Sequence, residues 1–208
     1  MEFRLTYQGP LFSSQRDPEG QQTDARAGHK HDIRRKFHFQ FKRLWEITPF
    51  LANGERSGPG AWITQSSPDT PPYGIASLSA RHAHYGFNFA PLVTHNLNLI
   101  CGIDILLLRP DRPGGVVWHG DIDNRLKTLL DALTIPTANE NYVARTPGSD
   151  EKPFFCLLEE DKLITKVSVE TDQLLEFVSP RMDENEVRLV ITVSLRPYEM
   201  HLGNMQFG

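Results

Sequence analysis

The stretch LNLICGIDILLLRP, residues 97–110, constrains the fold most. From Leu99 to Leu108 it is apolar almost without a break, the pattern of a central strand covered on both faces. Asp104 interrupts it, and burying a carboxylate unpaired is costly, so this residue is expected at a polar edge or held by partners. The run before it, YGFNFAPLVT, is also strand-like. A short turn around His95 and Asn96 joins the two, which predicts a β-hairpin.

Weaker signals fill in the rest. EFRLTYQ, residues 2–8, alternates like an opening strand, and a loop follows it. A helix is expected over 32–48, with Asp32 as its cap, Ile33, Phe37, Phe41 and Leu44 on one side and Pro49 at its end. Residues 53–75 are rich in Gly, Pro and Ser and suit a surface excursion. FFCLLEEDKLITKVSVET and EVRLVITVSLRP supply two further strands, and the tail YEMHLGNMQFG is expected to be loose. The order strand, helix, hairpin, helix, strand, strand predicts an α+β fold, with a mixed or antiparallel sheet carrying helices on one face.

At 208 residues, with 39% hydrophobic and 23% charged, the chain fits one ordinary globular domain. It holds no apolar run of the ~20 residues needed to cross a bilayer, and MEFRLTYQGP lacks the order of a signal peptide. No membrane association and a cytoplasmic location are therefore expected. Cys101 and Cys156 are not spaced as a metal-binding pair, which fits a reducing compartment. A net charge of -4 argues against coating nucleic acid through bulk positive charge. The charge is uneven, however. RAGHKHDIRRKFHFQFKR, residues 26–43, interleaves Arg34, Arg35, Lys42 and Arg43 with His29, His31 and His38, and either binds phosphates or forms a solvated helix face.

GDIDNRLKTLLDALT, residues 120–134, carries the chemistry. In an extended segment Asp121 and Asp123 project to the same side, and Gly120 permits that conformation just before a helix capped by Asp123 or Asn124. Leu126, Leu129, Leu130 and Leu133 form the apolar stripe, while Lys127 and Asp131 follow Asp123 on another face. Two adjacent carboxylates repel unless protonated or bridged by a cation, and Mg²⁺ favours one or two carboxylates plus water and phosphate. The plainer alternative is that Asp123 only caps the helix and Asp121 faces solvent. Glu159, Glu160 and Asp161, at the start of a later strand, are placed to supply a third acid.

DIDNRLKTLLDAL together with EEDKLI resembles the RusA-like Holliday junction resolvases, which are metal-dependent endodeoxyribonucleases. The likeness spans roughly residues 97–197, with Glu160 where aspartate is common and Leu163 where glutamine is common. It implies that the whole chain, 1–208, is one RusA-like domain enlarged at its N-terminal part, with a Gly/Pro-rich insertion at about 51–80. Asp121, Asp123 and Asp161 match the catalytic acids that hold Mg²⁺, or Mn²⁺ in its place. Lys127 matches the functional lysine, and Asn124 also falls on the motif. The resemblance further implies branched DNA as partner, a homodimer that nicks opposed strands, and roles in recombination and repair. Arg34, Arg35, Lys42 and Arg43 would contact the DNA backbone, with His119 a weaker candidate for phosphate. Two other readings remain open. One is a non-catalytic DNA-binding or assembly protein with the same fold. The other is an Asp-x-Asp nucleotide-sugar transferase, for which no glycine-rich βα turn is evident.

Overall fold

A computed structural model of the chain describes residues 1–12, 25–52, 75–110, 122–137, 146–175, 185–201 and 204–208. Its strands are β1 (Glu2–Pro10), β2 (Ala83–His84), β3 (Phe87–Val93), β4 (Leu99–Arg109), β5 (Phe154–Leu158), β6 (Ile164–Gln173) and β7 (Glu186–Pro197). The helices are α1 (Ala25–Ile47), α2 (Pro49–Ala52), α3 (Ile75–Arg81) and α4 (Ile122–Leu133). A four-stranded sheet runs β1-β7-β4-β6 and a three-stranded one β2-β3-β5. Both parallel and antiparallel pairs occur, β4 with β6 and β4 with β7, so the fold is α+β with mixed sheets.

β4 is a central strand of the larger sheet, as its composition predicts, but only one of its faces is fully covered. Leu99, Cys101, Ile103, Ile105 and Leu107 are buried, whereas the alternate residues Ile100 to Leu108 are half-exposed. Asp104 sits on this open face, where Lys166 of β6 holds it at 2.7 Å. The apolar composition of Leu106 and Leu108 had concealed the period-2 alternation.

The expected hairpin does not form, because β3 and β4 belong to different sheets. Thr94 caps a 3₁₀ turn at His95–Leu97, and Asn98 adopts a left-handed conformation (φ 49°) that its short polar side chain tolerates. That corner sends β4 away from β3, which pairs instead with β5 in parallel. The single strand expected after residue 153 is likewise split. Asp161–Leu163 forms a 3₁₀ turn, after which β6 joins the other sheet.

α1 begins earlier than its predicted cap Asp32 and is wedged between the sheets. Phe37 and Phe41 meet Tyr7 and Phe3 of β1, at ring-centroid distances of 6.0 and 6.3 Å. On another side, His38 and Trp45 meet Phe155, and His31 meets Phe87 and Phe154. Burial of each phenylalanine contributes about 1.5–3 kcal/mol. A helix buried on two sides lacks the single apolar stripe that marks a surface helix. The chain's end is docked, correcting the loose tail expected. Phe207 is buried, and Asn204 Nδ2 donates to the Leu97 and Glu199 carbonyls at 2.8 Å each. The excursion at 53–74 lies outside the described residues.

Candidate metal and nucleic-acid site

α4 opens at Ile122, so Asp123 already stands in its first turn and not in an extended lead-in. Asp121, Gly120 and His119 lie outside the described residues. Asp123 is exposed in the first turn, at the end of the helix where backbone amides point outward. Lys127, four residues on, is exposed on the same helix face. The opposite face anchors the helix. Leu129 and Leu133 are fully buried, and Leu126 and Leu130 pack at the margin of the core. Thr128 is buried and its Oγ1 donates to the Asn124 carbonyl at 3.2 Å. Arg125 is also buried, and its Nη2 donates to Asn185 Oδ1 at 3.1 Å.

These contacts position the helix against the sheet. Asn185 accepts the Leu11 amide on its carbonyl, just past the last β1–β7 rung, Pro10 with Glu186. Antiparallel pairing of β7 with β4 makes this the end at which β4 finishes. Asp123 therefore belongs to the finishing end of β4, and the far end of α4 reaches β5, where Ile135 N donates to the Leu158 carbonyl at 3.1 Å.

Asp161 belongs to the other end. It precedes β6, whose first residue Ile164 pairs with Cys101 near the start of β4. Asp161 thus stands toward the start of β4 and Asp123 toward its finish, while Asp121, the remaining expected ligand, lies outside the described residues. The second acidic motif instead serves the corner between β3 and β4. Glu159 accepts the His95 amide at 3.0 Å, and Glu160 lies 3.5 Å from His95 Nε2 and 3.2 Å from Lys162 Nζ. Asp161 is exposed beside them. At the same corner burial holds His82 below the usual histidine pKa, with Arg81 adding to the effect and Glu159 opposing it. Among the described residues no group of three His, Cys, Asp or Glu side chains is arranged to hold a metal ion.

The four basic residues expected on DNA separate into different environments. Arg34 is a correction, since only 1% of it is exposed. Its Nε donates to the Thr134 carbonyl at 3.1 Å and its Nη2 to the Asp131 carbonyl at 2.7 Å. It thereby ties α1 to the carbonyl-rich, negative end of α4. Lys30 adds an ion pair to the Asp131 carboxylate at 2.9 Å. Arg35 is half-exposed, but its Nε bonds buried Glu151 at 2.5 Å. Lys42 is half-buried, and Arg43 is exposed with Glu46 at 3.2 Å. His31 and His38 are interior residues and do not present themselves to phosphate. Glu151, which the sequence reading passed over, also accepts the Gly148 amide at 2.9 Å, and its only sequence signal was an acid beside a glycine turn.

Both cysteine thiols are free and buried, Cys101 being pushed up to about 12 by burial. No helix among the described residues is long and apolar enough to cross a membrane. No family model and no curated protein matches the chain.

Proposed function

We propose that the chain is a metal-dependent, structure-selective endodeoxyribonuclease that acts on four-way DNA junctions as a pair of copies. The observation that carries this reading is the presentation of Asp123 and Lys127 on one exposed face of the first two turns of α4, directly after Asp121 in the sequence. An exposed aspartate, Asp123, two positions after a second one in the sequence, fits the needs of Mg²⁺, which takes hard oxygen ligands and retains waters and phosphate. When bound, the ion would supply an activated water and charge neutralisation at the scissile phosphodiester. Asp121 and Asp123 would hold it. Lys127 would orient the phosphate and stabilise charge that develops on its oxygens, a role open to an exposed ammonium. Of the basic residues, Arg43 and Lys42 remain available for backbone contact.

The test is nicking of a synthetic four-way junction in Mg²⁺, compared with linear duplex. Wild-type protein is expected to nick the junction preferentially. Asp123→Asn should lower the rate by at least about 100-fold while leaving junction binding in a gel-shift assay within a few-fold. Binding without cleavage of any DNA by the wild-type protein would point instead to a non-catalytic DNA-binding role.

A further inference from the structure

The two edges of the larger sheet are finished differently. On β1, Gln40 of α1 caps the outer backbone, accepting the Thr6 amide at 2.9 Å and donating to the Thr6 carbonyl at 2.7 Å. Lys36 also donates to the Gln8 carbonyl at 2.5 Å. β6, at the opposite edge, has no such cover among the described residues, and Thr165 to Ser168 are all exposed. Val167 is 43% exposed, an apolar β-branched residue on an edge strand of 10 residues that contains no proline. A long edge of this kind is a template for another strand.

Charge on β6 is polarised along the strand. Its first half carries Lys166 and its second half Glu170 and Asp172. A parallel neighbour with the same sequence would place like charges together, and an antiparallel one opposes them correctly. We propose that β6 pairs antiparallel with β6 of a second copy about a two-fold axis at Ser168. In that register Lys166 faces Glu170 of the second copy and Glu170 faces its Lys166. Val167 faces Val169 and Thr165 faces Thr171, so β-branched pairs line the remainder. The Lys166 side chain is 63% exposed, and its bond to Asp104 uses one of three donors. The surface deepens the two-copy part of the proposed function. Its test reads association and not cleavage, so either can fail without the other.

Sedimentation of the full chain should show a dimer. Lys166→Glu places like charges across the axis twice and should weaken dimerisation about tenfold. Adding Glu170→Lys in the same chain should restore it. Loss of the Asp104 bond is common to the single and double variants, so recovery reports the pairing across the axis. Ser168→Cys should form an intermolecular disulfide under mild oxidation with oxidised glutathione, the native thiols being buried. A monomeric wild-type protein, a dimer indifferent to both charge changes, or a Ser168→Cys protein that stays unlinked would overturn the proposal.

Discussion

Arg34 shows why a basic residue in a sequence is an ambiguous sign. Its guanidinium bonds two backbone carbonyls at the end of α4, and only 1% of the residue meets solvent. Arg34→Met should destabilise the fold by about 2–4 kcal/mol, because two buried acceptors lose charge-assisted donors. Urea unfolding measures that cost. The pattern Arg34-Arg35-Lys36 gave no sign that one member points inward, since that depends on where α4 ends 97 residues later. His38 has a similar history. Its Nδ1 accepts the Phe155 amide at 2.9 Å, so its Nε2 carries the proton and donates to the Asp150 carbonyl at 3.0 Å. Burial is the main reason its pKa falls below 6.5, and the Asp150 carbonyl and the Glu151 charge oppose the fall. A histidine depressed in the folded state contributes its stability fully above about pH 6.5. That contribution is lost as the pH falls toward the folded-state value. The melting temperature should therefore decline from pH 7 to pH 5.5, and the decline should be shallower in His38→Gln.

At the scale of elements, local pattern carried information and pairing did not. α4 was legible because its leucines recur at helical spacing, and Leu129 is indeed fully buried. Leu129→Ala should cost about 2–5 kcal/mol, read as a lower urea midpoint with the slope unchanged. β1, β4 and β7 were also legible, each having strand composition over its whole length. The corners at 94–98 and 159–163 were not. In both, polar residues with the composition of a hairpin turn or a strand start carry the chain from one sheet to the other. Strand composition says that a segment is extended and leaves its neighbour unstated. The pairings of β3 with β5 and of β4 with β6 join segments more than 60 residues apart.

For the whole molecule, the α+β class followed from the order of elements, but the joint placement of the acids did not. Asp161 and Asp123 lie toward opposite ends of β4, a separation set by topology and invisible to motif spacing. Pairing about Ser168 changes the arithmetic. Asp161, seven residues before the axis, comes level with position 175 of the other copy, at the end where that copy's α4 opens. If each centre draws Asp123 from one chain and Asp161 from the other, two dead variants can complement. Co-refolded Asp123→Asn and Asp161→Asn chains would assemble mixed pairs with one intact centre and one doubly defective. Such a mixture should regain single-strand nicking yet fail to resolve a junction, whereas centres contained within single chains would leave it as inert as either variant alone.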